Sequence, residues 1–276
     1  DVVIQAPALA GSGVTDRARV RAYVFAHERL CRQGVRRADL SLLKSGTLEH
    51  RYARFARNLL VFEDTSYFSS EIAPLEKIEA RLATLESGRP LRFVYCGRLV
   101  ARKGVDVSVR LIARARALGA RVELEIIGSG PEQAAIAALV DEVGVQGAVH
   151  LAGAATYGPE LIERLASFDG LLFTPTAEDT PRMIFDGYAA SLPLIASPIP
   201  YVEQRARAEH ATELLPTDLD EAAEALLALD RCRGRLAELT RRAGEAALHH
   251  SADAWYARRA ARTHEAVERR LRENSR

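Results

Sequence analysis

Two carboxylates and two cations carry the chemistry that can be read from this sequence. Glu178 and Asp186 lie in AEDTPRMIFDGYAASLP, with seven residues between them. Arg98 and Lys103 lie in GRLVARKG, positions 97–104, where Gly97 frees the backbone. Cations fixed beside open backbone suit a diphosphate, which takes charged hydrogen bonds. Carboxylates do not hold phosphate, but they accept hydrogen bonds from sugar or ribose hydroxyls. Between the acids, Thr180 and Pro181 read as a helix N-cap and first helical residue. A helix start offers free N–H groups and partial positive charge to an anion, so Thr180 and Arg182 join the candidate phosphate contacts. The pattern anticipates a ligand with phosphate at one end and hydroxyls at the other. Simpler accounts exist for each part: a solvated basic loop, or a lone acid favouring the helix dipole. The pair of acids flanking one helix start favours the ligand.

Further features belong to the same set of loops. GSGP at 128–131 is a tight glycine turn with Pro131 opening a helix. It lacks the full G-x-G-x-x-G pattern, so a dinucleotide is weakly signalled, although the amides at Gly128 and Gly130 are open to a ligand. Gly187 costs its helix about 1 kcal/mol relative to alanine, which a close approach of backbone to backbone would explain. Asp218-Leu219-Asp220 imitates a metal-binding pair, but directly before EAAEALLALD it reads as capping and first-turn acid. His249-His250 closes a polar helix with no third ligand nearby and reads as surface. No nucleophile-elbow signature is present, and no metal site is expected.

These loops must be positioned by alternating strands and helices. Strands are expected at 38–43, 59–63, 92–96, 122–127, 149–153, 170–173 and 192–196. An early helix over RARVRAYVFAHERLCRQG and another capped by Thr47 precede the second strand. Later helices are expected near 104–118, 131–143, 159–167 and 181–190. The fold class is therefore α/β, with a parallel sheet covered on both faces and short apolar strands buried on both sides. In such sheets ligands sit beyond the carboxyl ends of the strands, where every candidate residue lies. The polar stretch at 63–74 is the candidate boundary, giving domains 1–70 and 71–276.

The 276 residues and 48% hydrophobic share suit one large or two smaller globular domains. A net charge of +1 gives no case for nucleic acid. Cys31, Cys96 and Cys232 are odd in number, far apart and without metal spacing, as expected for a reducing, cytoplasmic location. No stretch is long and apolar enough to span a bilayer. Arg51, Arg54 and Arg57 invite an anionic membrane, though a solvated helix face explains them better. The opening DVVIQAPALAGSGV has no initiator methionine and reads as a passage from inside a longer chain.

Taken together, FVYCGRLVARKGVD, IIGSGP, ERLASFDGLLFTPTAED and EDTPRMIFDGYAASLPLIAS resemble the retaining family 4 glycosyltransferases of the GT-B fold. The resemblance covers roughly positions 90–200. It implies two Rossmann-like domains, of which the C-terminal one binds a nucleotide-diphosphate sugar as donor, with no metal required. Arg98 and Lys103 then match the basic pair on the donor's phosphates. Glu178 matches the first acid of the two-glutamate motif, on the transferred sugar. Asp186 stands where the second glutamate contacts the ribose, one methylene shorter. Ser191 replaces the usual glycine before Leu192-Pro193, at a steric cost if the backbone there is left-handed. The closing SADAWYARRAARTHEAVERRL resembles the helix that packs back towards the N-terminal domain. The implied activity is sugar transfer to an unidentified hydroxyl acceptor with retention. Positions 1–70 match only the last part of an acceptor-side domain, so the chain is expected to be N-terminally truncated and inactive alone. No residue is assigned as catalytic base. A non-catalytic nucleotide-sugar-binding module and a GT-B sugar-nucleotide epimerase are the alternatives.

Overall fold

The computed structural model describes residues 14–275. Two compact units emerge. One holds the described residues up to Glu63 together with those from Tyr256 onward, and the other is Asp64–Trp255. The division falls at 63/64, against the expected 70/71, and the last helix runs from one unit into the other.

The first unit begins with helix α1 (Val14–Arg37), followed by β1 (Ser41–Lys44), α2 (Ser45–Tyr52) and β2 (Leu59–Phe62). The two strands pair in parallel, Ser41 opposite Leu59. Thr47 does not start α2. The helix begins two residues earlier, behind Lys44, with no side-chain cap. Glu28 on α1 is buried and satisfied by Arg32, Arg51 and the Tyr52 hydroxyl at 2.8–3.1 Å. Arg51 is thereby drawn into an internal ion pair at 3.0 Å. From Tyr256 onward the last helix, α11 (Ala252–Asn274), packs on this unit: Arg262 donates to the Asn58 side chain at 2.6 Å and Arg259 stacks over Phe62.

The second unit is a six-stranded parallel sheet. After α3 (Leu75–Leu85) come β3 (Leu91–Cys96), α4 (Val105–Ala117), β4 (Val122–Ile127), α5 (Gln133–Glu142) and β5 (Val149–Gly153). They are followed by α6 (Pro159–Leu165), β6 (Gly170–Phe173), α7 (Met183–Ala189), β7 (Leu194–Ala196), α8 (Pro200–Glu209) and β8 (Thr212–Leu214). Helices α9 (Leu219–Arg231) and α10 (Arg233–His250) close the unit. The strand order is β5-β4-β3-β6-β7-β8. This is the doubly wound Rossmann order, built outwards in both directions from the β3–β6 pair. Every residue of β6 and of β7 is buried, so both faces of the sheet are covered. The Rossmann-like α/β class read from the sequence is the one observed.

Helix α8 and edge strand β8 have no counterpart in the sequence reading. The α8 stretch PYVEQRARAE is polar and Arg-rich, and β8 is only three residues long, so neither carries a clear apolar period.

The arginines of this unit hold its joints. Arg81 is buried and donates to the carbonyls of Ala166, Ala190 and Ser191 at 2.6–3.0 Å, closing the end of α7. Burial pulls its guanidinium down to about 10. Arg89 grips the buried Asp169 with two bonds of 2.7 Å, and Asp169 also accepts from the Arg92 N–H. Ser191 is left-handed at φ 54°, as its glycine-like place in the sequence anticipates. The position is fully buried, and a Cβ on Gly244 of α10 would come within 2.9 Å of its hydroxyl.

Candidate functional site

The loops after β3 and β6 flank the point where the strand order reverses. Adjacent strands whose connections leave in opposite directions open a crevice at their carboxyl ends. Arg98 and Lys103 follow β3, and Glu178, Thr180, Arg182 and Asp186 follow β6. The fold brings both sets to this crevice.

The first loop is built against its neighbours backbone to backbone. The Gly97 N–H donates to the Ile127 carbonyl at 2.9 Å and the Leu99 N–H to that of Ser129 at 2.9 Å, prolonging the β3–β4 ladder past the strand ends. A Cβ on Gly128 would lie 1.8 Å from the Gly97 oxygen, and one on Gly130 would lie 2.1 Å from the Leu99 oxygen. Packing thus explains both glycines of GSG. The amides of Gly97 and Gly128 are engaged within the sheet, the latter with the Gly153 carbonyl at 2.8 Å. A short 3-10 turn, Ala101–Lys103, then ends at Gly104, left-handed at φ 63°, where a Cβ would lie 1.8 Å from the Thr174 oxygen. Thr174 and Thr176 tie the second loop to the first. The Thr174 hydroxyl donates to the Gly104 carbonyl at 2.7 Å, and the Thr176 N–H to the Arg102 carbonyl at 3.1 Å.

This clamping sets the positions of the charges. Arg98 is exposed, with no side-chain partner among the described residues. Lys103 is buried, its ammonium 5.6 Å from the centre of the Phe173 ring and in ion-pair contact with Asp179. Burial pulls its pKa down, and the Asp179 carboxylate pushes it back up. Arg102 binds the same carboxylate at 2.7 Å. The sequence reading does not single out Asp179 and Arg102. The available signal is charge complementarity between RK after β3 and ED after β6.

Glu178 is half-buried, and neither carboxylate oxygen completes a hydrogen bond within the protein. Burial raises its pKa. The nearby Tyr201 N–H of α8 offsets part of that effect, and neighbouring Asp179 adds to it.

Asp186 lies inside α7, buried, and accepts a hydrogen bond from the Tyr157 hydroxyl at 3.1 Å. Burial lifts its pKa to about 6, against the lowering influence of Tyr157 and Arg182, with Glu71 adding a little to the rise. A carboxylate held this far above its ordinary range in a crevice is a mark of functional sites. Tyr157, from the loop after β5, is likewise missing from the sequence reading. A lone tyrosine in AATYG carries no signal without the tertiary fold.

Three expectations are corrected here. Thr180 does not cap α7. The helix begins at Met183, behind Arg182, with no side-chain cap. The Thr180 N–H instead donates to the Asp179 carboxylate at 3.0 Å, and the segment stays irregular because Asp179 is held from the other side by Lys103 and Arg102. The Arg182 guanidinium is exposed and donates to the Ser66 hydroxyl at 3.0 Å. Gly187 faces side chains rather than backbone: a Cβ there would meet Leu171 at 3.2 Å. His250 is buried, not a surface residue. Its Nε2 lies 3.0 Å from Glu209, which also pairs with Arg205 at 3.0 Å, and its ring packs 4.9 Å from that of Phe185 on α7. Asp218 does cap its helix, accepting from the N–H groups of Asp220 and Glu221. Among the described residues no group of three or more His, Cys, Asp or Glu is placed to hold a metal ion, and no helix is long and apolar enough to cross a membrane.

A doubly wound sheet with cations, acids and a tyrosine hydroxyl gathered at its switch point defines a Rossmann-like α/β domain. The chain belongs to the group 1 glycosyl transferases, whose family model matches residues 90–231, just over half of its length. No curated protein matches the sequence. Among solved structures it is similar to Anabaena Alr3699/HepE in complex with UDP, with a TM-score of 0.65 and 17% identity over 90% of this chain and 66% of that one. It is also similar to a mutant of S. aureus TarM in complex with Fondaparinux, alpha-GlcNAc-glycerol and UDP (TM-score 0.63, 14% identity, 90% and 46% coverage). A third is WaaG, a glycosyltransferase involved in lipopolysaccharide biosynthesis (0.61, 15%, 78% and 59%). At these identities the likeness is one of fold. The chain spans 46% of TarM and 59% of WaaG.

Proposed function

We propose that this chain carries the donor side of a retaining, family 4-type glycosyltransferase that uses a nucleoside-diphosphate sugar. UDP is the first nucleotide to try, since Alr3699/HepE and TarM were each solved with it. Lys103 and Arg98 take the diphosphate, Glu178 the hydroxyls of the transferred sugar, and Asp186 the ribose. The reading gives no role to a metal. Departure of the nucleoside diphosphate leaves its electron pair, and hence negative charge, on the leaving phosphate oxygen. The buried Lys103 and the exposed Arg98 stabilise that charge electrostatically. The sugar carbon meanwhile gains positive character beside the Glu178 carboxylate. The acceptor's hydroxyl oxygen forms the new bond to that carbon, and its proton passes to the departing phosphate oxygen.

The observation that carries this reading is the buried Lys103 ammonium at the switch point, matched across the crevice by Glu178, whose buried oxygens complete no hydrogen bond. Burying the Glu178 oxygens without a partner is costly, whereas the Lys103 ammonium is compensated by Asp179 until a ligand takes that place. Calorimetric titration with UDP tests the assignment. Lys103→Ala should weaken binding by about 1.5–3 kcal/mol, the range for a hydrogen bond to a charged group. A folded variant with wild-type affinity would overturn it.

A further inference from the structure

Three donors converge on one carboxylate in the candidate site. The Asp179 side chain receives the Lys103 ammonium, the Arg102 guanidinium at 2.7 Å and the Thr180 backbone N–H at 3.0 Å. Two cations and a main-chain amide around a shared centre are the donor set a phosphate takes. The Lys103 and Asp179 side chains each retain only 10% exposure, so solvent screens their pairing far less than at an open surface. The contact is not a chance collapse of long side chains. The loops that carry the two residues are stitched together by Thr174 on Gly104 and by Thr176 on Ala101 and Arg102.

We propose that Asp179 is the chain's own competitor for the diphosphate: its carboxylate occupies the anion cradle, and an incoming nucleoside diphosphate must displace it from Lys103. This deepens the donor-site reading above and rests on it. A diphosphate brings more charge and more acceptor oxygens than one carboxylate, so it wins the exchange. The exchange still costs the ion pair, so the affinity of the free protein is lower than its cations alone would give. Once displaced, the carboxylate is released next to Glu178, on the sugar side of the crevice, and leaves Arg102 free for a phosphate oxygen. Asp179 is thereby an affinity-setting residue. The opposite role, an acid that stays in place to orient Lys103, predicts the reverse effect of its removal.

The test is calorimetric titration of the full chain with UDP, using wild type, Asp179→Asn, Lys103→Ala and the double variant. Asp179→Asn should bind UDP about tenfold more tightly than wild type, the scale of one charged hydrogen bond. In the Lys103→Ala background the same substitution should change affinity much less, because the pair it breaks is already gone. Thermal denaturation adds a second readout. Loss of the pair should leave Asp179→Asn no more stable than wild type even as it binds more tightly, whereas a purely structural role lowers both. Should Asp179→Asn fail to fold, Asp179→Ala serves in its place. Unchanged or weaker UDP binding by the Asp179 variants, with wild type binding, overturns this proposal and leaves the donor site standing. If no protein in the set binds UDP or a wider panel of nucleoside diphosphates, the donor-site reading falls and takes the proposal with it.

Discussion

Asp186 is costly to keep where it is, and the cost can be measured. Its folded pKa of about 6 stands above the ordinary value of 3.8, chiefly because burial disfavours the charged form. The folded state therefore binds more protons than the unfolded state between those two values. Stability is fully present below about pH 3.8 and falls as pH rises through the window. Above about pH 6 the whole penalty is in force. A rise of this size, at about 1.4 kcal/mol per pKa unit, costs at most about 3 kcal/mol at neutral pH. Asp186→Asn keeps the shape and an acceptor for the Tyr157 hydroxyl but removes the charge. It should stabilise the chain by about 1–3 kcal/mol at about pH 7.5 and by little at about pH 4. Urea denaturation of both proteins across this range reads the difference directly. Equal stabilities at every pH, or a variant that is the weaker at the alkaline end, would refute the account of a desolvated carboxylate. The same variant should bind UDP less tightly, because a neutral amide is the weaker partner for ribose hydroxyls. Stability gained and affinity lost in one substitution is the signature expected of a residue kept for function.

Two further substitutions test the scaffold. Arg81→Met removes three hydrogen bonds to carbonyls at 2.6–3.0 Å, two of them buried, and leaves those oxygens without the guanidinium, so it should cost about 3 kcal/mol or more in urea denaturation. Gly128→Ala places a methyl 1.8 Å from the Gly97 oxygen; the β3 loop must shift, and both stability and UDP affinity should fall, by about 2 kcal/mol or more in stability.

The strands of the second unit are legible because buried parallel strands read as short apolar runs. VELEII, VHLAG and GLLF are located to the residue. Elements that draw their stability from tertiary contacts are not legible. Edge strand β8 is three residues of TEL, and α8 has few apolar residues to reveal a face. The start of α7 is displaced from its expected place because Thr180-Pro181 satisfies local capping rules, while Asp179, drawn across the crevice by Lys103 and Arg102, takes the Thr180 amide first. His250 is the instructive miss. Leu236, Leu239, Ala243, Ala246, Ala247 and His250 are all buried on α10 at helical spacing. The period alone places the histidine on the inner face; weighing it as a possible metal ligand draws attention to its missing partners instead.

The distribution of arginine decides how the charge of this chain should be understood. A count of 38 basic residues against 37 acidic ones suggests no ligand. Yet the residues divide by what they touch. Arg81, Arg89, Arg121 and Arg233 bind carbonyls and Asp169 or Asp230, where they join helices and strands. Arg164, Arg207, Arg242 and Arg262 sit in exposed or half-exposed pairs with nearby glutamates, each worth at most about 1 kcal/mol. At the switch point the pattern changes. Arg98 has no side-chain partner among the described residues, and Lys103 is buried and held by an acid from the opposite loop. Glu178 and Asp186 are acids whose pKa values burial has raised. There, charges of both signs are kept in a partly desolvated crevice at a cost to the fold. A ligand with phosphate at one end and hydroxyls at the other would meet both costs at once, which is the physical reason the proposed donor site lies here.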